Sequence, residues 1–302
     1  MQRHDSTPSK YGDLIGEHCS RLYSEDAAAI APCQEQCSPI GRSFSRRARI
    51  GGVTAKTLRE RVRAEMTEEI RAVARRHLAI DGANLSLRAV ARDAGLVPSA
   101  LYRYFASRDA LLTALIIEAY EALAEAVEKA EAAVPRADLG GRWLAVCRAV
   151  RAWGLDNPAE YALIYGSPVP GYAAPEDTVS PASRVLLTLS AILFDGADAG
   201  QRAVSPARPL PAAVREDLAR LMNHWPGEQP QEQEPSSPEA LLAMALTLWT
   251  HLFGLVGFEV FGRLNTMIDA REEYFDHQAR VMADLAGLTT PTERTDGDTA
   301  PA

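Results

Sequence analysis

Ser99, Tyr102 and Arg103 stand three and four positions apart, the spacing that places side chains on one face of an α-helix. A hydroxyl, a phenol and a guanidinium displayed together can donate to phosphate oxygens and to base edges in a DNA groove. Such a face needs support beneath it, and Leu101 and Phe105, four apart, supply inward anchors. Pro98 suits the first turn of this helix, because its missing N–H would have had no intrahelical partner there. Upstream, Leu87, Val90, Ala91 and Ala94 form an apolar stripe, with Ser86 placed to cap its start and Arg88, Arg92 and Asp93 on the wet side. Gly95 follows the last apolar position, where a chain leaving a helix commonly takes a positive φ that glycine accepts without strain. Ser107 reads as the cap of a further helix whose Leu111, Leu112, Leu115 and Ile116 form another packing stripe. Residues 86–108, SLRAVARDAGLVPSALYRYFASR, therefore read as a helix-turn-helix whose second helix is basic and aromatic.

The stretch from about Met66 to Ile117 resembles the N-terminal domain of the TetR family of bacterial one-component regulators. An amphipathic helix carrying Ile70, Val73, Ala74 and Leu78 leads into the run AGLVPSALYRYFASRDALL, which is far more specific than a bare helix-turn-helix. The resemblance assigns Ser86, Arg88, Ser99, Ala100, Tyr102, Arg103, Tyr104 and Arg108 to the DNA-facing side. Tyr104 departs from the histidine often found there, yet tyrosine can still donate to a phosphate. The resemblance implies an all-α fold, with an N-terminal three-helix helix-turn-helix domain followed by a helical ligand-binding and dimerisation domain. It implies a DNA-binding transcriptional regulator, most often a repressor released from a palindromic operator by a small-molecule effector.

Charge is segregated to match. The chain carries a formal net charge of −8, with 32 Lys and Arg against 40 Asp and Glu. Residues 42–108 hold 15 basic and 6 acidic side chains, a net of +9, which leaves −17 for the remainder. A locally positive face gains affinity for double-stranded DNA by releasing counterions, and an acidic remainder keeps that face turned toward the duplex.

The first twenty residues lack an apolar core of the kind a secretory signal needs, so a cytoplasmic protein is expected. Four cysteines are too few and too irregularly placed for a disulfide framework. Cys147 reads as a buried core residue. His18, Cys19, Cys33 and Cys37 lack the regular spacing of a zinc site, so no metal is expected.

Residues 1–55 mix Ser, Pro, Gly and charge without sustained periodicity and read as a mostly disordered extension. In the family such an extension can reach along DNA, which would give Arg42, Arg46, Arg47 and Arg49 phosphate contacts. The helix-turn-helix domain is placed at 56–117, the helical ligand-binding and dimerisation domain at 118–288, and a disordered tail at 289–302. Within the second domain helices are expected over 108–134, ended by Pro135, over about Leu139–Leu155, over AEYALIYG, and from about Pro181 to Phe194. Segments 196–211 and 223–238 read as exposed loops, with PAAVREDLARLMNHW an amphipathic helix between them.

From Ala240 to Phe258 no charged residue appears, a length sufficient to cross a membrane. His251 near its middle, Glu259 immediately after it and the lack of a second span favour a buried helix between subunits. A membrane-attached regulator anchored by 240–258 is the competing reading. The segment WTHLFG also resembles a C-terminal domain type of this family marked by Trp, His and Gly. Since the family's last two helices usually build a four-helix dimer interface, the resemblance places Trp249, His251, Gly254 and Gly257 at a homodimer contact. It likewise implies an effector cavity among the middle helices, where Trp143, Trp153, Tyr161, Tyr165 and Phe194 are the candidate linings. An all-helical enzyme is a further rival, but no HExxH, GxSxG or phosphate-cradling glycine loop is present, so no catalytic residues and no cofactor are expected.

Overall fold

The stripe Ile70, Val73, Ala74 and Leu78 lies wholly buried along α1, Leu58–Asp81, the first helix of the computed structural model, which describes residues 58–82, 84–200, 209–222 and 237–290. The extension with Arg42, Arg46, Arg47 and Arg49, the residues His18, Cys19, Cys33 and Cys37, and most of the expected loops and the tail lie outside the described residues. Every regular element among the described residues is helical.

Helix α2, Leu87–Asp93, starts on Ser86, whose Oγ accepts from the Ala89 N–H at 3.5 Å. It closes as a Schellman turn. Gly95 takes φ +69°, and the N–H groups of Gly95 and Leu96 donate to the carbonyls of Arg92 and Ala91. Helix α3, Pro98–Leu101, follows after one extended residue, Val97, with Pro98 in its first turn. Ser107 caps α4, Arg108–Ala132, by accepting from the Ala110 N–H at 3.0 Å.

The second half continues with α5, Leu139–Asp156, and α6, Pro158–Tyr165. A short 3-10 turn at Glu176–Thr178 then runs into α7, Val179–Asp198. The next helices are α8, Ala212–Met222, α9, Pro238–Val260, and α10, Arg271–Leu285. Helix α7 starts two residues before the expected Pro181, which sits in the first turn where N–H groups have no intrahelical partner anyway. It runs four residues past Phe194, into the segment read as a loop, because Gly196 is itself buried in the core.

Two cores result. One, from Ile70 to Leu115, holds α1–α3 and the start of α4 together. The other gathers α4–α7, α9 and α10 around Trp143, Tyr161, Phe253 and Phe275, with Cys147 among its buried members as expected. Burial pushes the Cys147 thiol well above its ordinary value, so it stays protonated and inert.

Candidate nucleic-acid interface and effector cage

Leu101 and Phe105 are buried beneath the turn that joins them. Ser99, Tyr102 and Arg103 are all exposed, with Tyr102 at 53%. This is the outward set read from the spacing. The helix itself is shorter than expected, however, ending at Leu101. Tyr102–Tyr104 continue as turns, with the N–H groups of Arg103 and Tyr104 donating to the carbonyls of Ala100 and Leu101. Ser86 and Arg88 at the start of α2 are also exposed.

The other members of the assigned DNA face are partly occupied elsewhere. Ala100 is half-buried. Tyr104 is half-buried against the reader core, and the Arg63 guanidinium lies 5.4 Å from its ring centroid. Arg108 is half-buried, with its Nε donating to the Leu85 carbonyl at 3.3 Å and its guanidinium 3.7 Å from the Asp109 carboxylate. Arg63 was missed by sequence reasoning, because the recognised stretch begins only at Met66. Its guanidinium donates to the Arg103 carbonyl at 2.9 Å, so α1 braces the turn that carries the exposed face. His77 Nε2 lies 2.9 Å from Asp93 and ties α1 to α2. Arg75 hydrogen-bonds Glu118 and ties α1 to α4. The Arg75 and Arg71 guanidiniums hold the Glu68 carboxyl below its usual range.

The five aromatics expected around an effector do not line one cavity. Trp143 is wholly buried, and its Nε1–H donates to the Ala279 carbonyl at 2.8 Å, so it fastens α5 to α10. Phe194 belongs to a separate cluster with Leu218, Met222, Leu241 and Leu242, because α8 folds back over that end of α7. Trp153 borders a small cavity of about 200 Å³ between α1, α4 and α5. Only Tyr161 and Tyr165 of the five come together, with ring centroids 5.2 Å apart.

These two join residues the sequence reading did not select. Tyr165 lies 4.3 Å from Phe253, 5.9 Å from Tyr120 and 6.5 Å from Trp249, centroid to centroid. The Tyr161 hydroxyl donates to the Phe253 carbonyl at 2.6 Å and is satisfied. By contrast the buried Tyr165 hydroxyl and the buried Trp249 indole N–H have no hydrogen-bond partner among the described residues. Burial holds the Tyr165 phenol well above its ordinary value, so it remains a donor. Two buried donors are therefore left unsatisfied on a pair of rings that pack together, a costly arrangement that an acceptor would relieve.

The expected dimer residues divide between two faces of α9. Trp249 packs inward on Tyr165 and Phe253 rather than outward. Gly257 is buried too, and a Cβ there would stand in ordinary contact with the Tyr161 hydroxyl at 3.7 Å, so the position faces α6 within the subunit. His251 and Gly254 do face outward, in a stripe with Thr247, Thr250 and Phe258. Helix α9 is long and apolar enough to cross a membrane by length and composition, but its other face, from Leu241 to Gly257, is sealed into the subunit. No group of three His, Cys, Asp or Glu among the described residues could hold a metal ion.

A two-helix reader with its polar groups turned out, carried on a separate helical bundle, defines a helix-turn-helix transcriptional regulator. Comparison with known proteins makes this specific. Residues 70–115 match the model of the bacterial regulatory proteins of the tetR family, and residues 143–282 match that of the tetracyclin repressor-like C-terminal domain. The HTH-type transcriptional regulators Rv1816 of Mycobacterium tuberculosis and Mb1846 of Mycobacterium bovis are each 36% identical over 228 residues, covering 74% of this chain and 92% of theirs. The crystal structure of the regulatory protein SCO4313 superposes with a TM-score of 0.59 at 31% identity, covering 76% of this chain and all of that one. A tetR-family regulatory protein from Rhodococcus RHA1, at 16% identity, a TM-score of 0.50 and coverage of 74% of this chain and 98% of its own, shares the fold. The chain belongs to the TetR family of DNA-binding transcriptional regulators.

Proposed function

We propose that this regulator is a cytoplasmic homodimer that represses transcription from a roughly palindromic operator and releases it when a small molecule enters the aromatic cage. The observation that carries the DNA reading is the exposed set Ser99, Tyr102 and Arg103 standing over buried Leu101 and Phe105. Each subunit lays Pro98–Tyr104 in a major groove, with half-sites about one helical turn apart. Arg103 reads a guanine, Ser86, Arg88, Ala100 and Tyr104 border the backbone, and Arg108 adds a phosphate contact that shares its guanidinium with Leu85 and Asp109. The outward stripe of α9, with His251 and Gly254, supports the isologous contact between subunits, since Gly254 has open space where a Cβ would stand.

The effector reading is supported by the unpartnered Tyr165 hydroxyl and Trp249 indole N–H. A molecule with an aromatic or aliphatic body and an acceptor oxygen satisfies both donors.

The test starts by sequencing DNA retained by the purified protein to find the operator. Affinities for operator and scrambled DNA are then compared for wild type and Arg103→Ala. The variant should lose about 1–3 kcal/mol of discrimination against the scrambled site, with an unchanged melting temperature. Equal loss on both DNAs would make Arg103 a phosphate contact and refute base reading by this face. Sedimentation at micromolar concentration should give a dimer, and a monomer with and without DNA would refute the assembly. Deleting the gene should raise reporter expression, and a fall would mean activation.

A further inference from the structure

A cleft of about 1060 Å³ separates the reader from the second half, where the end of α1 faces α6, the loop after it and the end of α9. Leu78, Ala162, Leu163, Val169, Val260 and Phe261 make its walls predominantly apolar, and among the described residues no acidic side chain lines it. The charged residue on its lining is Arg263. Elsewhere among the described residues of the second half, Arg136, Arg142, Arg148, Arg151, Arg184 and Arg220 each pair with a carboxylate, and Arg215 and Arg271 donate to the Leu210 and Ile268 carbonyls. The exposed Arg263 side chain has no ion pair or hydrogen bond to another described residue, and its guanidinium lies 5.5 Å from the Phe258 ring.

We propose that this interdomain cleft, which meets the aromatic cage at Tyr165 alone, is a second ligand site for an amphipathic carboxylic acid whose carboxylate pairs with Arg263 and whose hydrocarbon body lies between α1 and α6. The pairing follows from charge and shape. A guanidinium without a carboxylate, set in an otherwise acidic half, is a fork for a carboxylate, and the walls beside it offer apolar burial. The volume is at the upper end of that of sites for small organic ligands. Because Leu78 stands on α1 of the reader and Ala162 and Leu163 on α6, with Leu163 packed against the reader core, an occupant touches both halves at once. It therefore biases the angle at which the reader is held.

Calorimetry on the full chain with decanoate, decan-1-ol and decylammonium tests the site. Decanoate should bind once per chain, at least tenfold tighter than the alcohol, with the amine weakest. Arg263→Gln should weaken decanoate at least tenfold and leave the alcohol within twofold, at an unchanged melting temperature because the side chain is exposed. Ala159→Trp, which fills the cleft, should abolish both. Trp249 belongs to the cage and does not line the cleft, so Trp249→Phe should leave decanoate binding within twofold. Equal affinity for acid and alcohol, or an unaffected Arg263→Gln, overturns the proposal. Loss of decanoate in Trp249→Phe with retention in Arg263→Gln places the acid in the cage and also overturns it.

The regulatory consequence rests on the reading of the chain as an operator binder. Decanoate should change operator affinity at least threefold in wild type and not in Arg263→Gln. Decanoate binding with no change in operator affinity refutes the coupling, whereas failure to retain any DNA refutes the operator reading and leaves the cleft measured by calorimetry.

Discussion

The reader and the second half, which the proposed function makes the effector half, bury similar side chains but draw them from very different spans of sequence. The reader core runs from Ile70 to Leu115, and its decisive bonds join residues three to five apart: Ser86 to Ala89, Leu96 to Ala91, Ser107 to Ala110. The effector half depends on contacts such as Trp143 to Ala279, 136 positions apart, and Tyr161 to Phe253, 92 apart. The lesson is that chemistry built on local geometry announces itself in a short window. Chemistry built on a bundle interior does not, because helical periodicity says that a side chain faces inward without saying which neighbour it meets.

The sharpest way to break this contrast is to cut one long-range tie. Arg142 is 1% exposed and holds Glu131 at 2.5 Å and Asp195 at 2.7 Å, so α4, α5 and α7 meet at one guanidinium. Arg142→Leu takes the buried partner from Glu131 and leaves Asp195 only the exposed Arg136, and should destabilise this half by about 3–5 kcal/mol. Thermal melts followed by tryptophan fluorescence would report it, since Trp143 and Trp249 lie in that half. A loss below about 1 kcal/mol would show that the network is incidental.

The matching cut in the reader is Leu101→Ala. It removes a wholly buried side chain under the exposed face and should cost about 2–5 kcal/mol. Urea unfolding should show that loss, while Arg103→Ala, two positions on, stays within about 0.5 kcal/mol of wild type. Comparable losses would mean that the outward face has been placed wrongly.

How much was legible follows the same line. The turn at Gly95, the caps Ser86 and Ser107 and the outward trio each rest on neighbours within a few residues, and each was readable. The shortness of α3 was not. Its last turn is set by Arg63 reaching across from α1 to the Arg103 carbonyl, a tertiary contact outside any local pattern. The cage failed for a related reason. Trp143 and Phe194 have the right residue type and are inward-facing, but α10 takes the first and α8 the second. In α9 the small residues looked alike and stand only about 60° apart round the helix, yet the edge of the packed face falls between them, leaving Gly254 exposed and Gly257 buried.

A smaller effect is expected at the edge of the effector half. Arg148 Nε donates to Asp276 at 2.9 Å, and this hydrogen bond, with nearby Arg280 and Arg151, holds the Asp276 carboxyl below its ordinary range. A depressed folded-state value stabilises the fold above the unfolded value of about 3.9 and loses that contribution as pH falls through the folded value. Asp276→Asn should therefore cost about 1 kcal/mol at neutral pH, with the gap to wild type closing below about pH 4. A gap that persists at pH 2 would assign the loss to packing.

The smallest change is read on DNA. Arg108→Ala should lower the slope of log affinity against log salt by about one unit while weakening operator and scrambled DNA alike. An unchanged slope would leave Arg108 as a brace for the Leu85 carbonyl and nothing more.

The bond from Trp143 to Ala279 also has a consequence during synthesis. A ribosome adding about 5–20 residues per second delivers Ala279 roughly ten to thirty seconds after Leu115 has completed the reader core. For that interval a nascent chain can carry a finished DNA-reading head on an unfinished body, with α10 not yet packed against α5. Until the last helix arrives, the newborn protein is a DNA-reading head tethered to its own message.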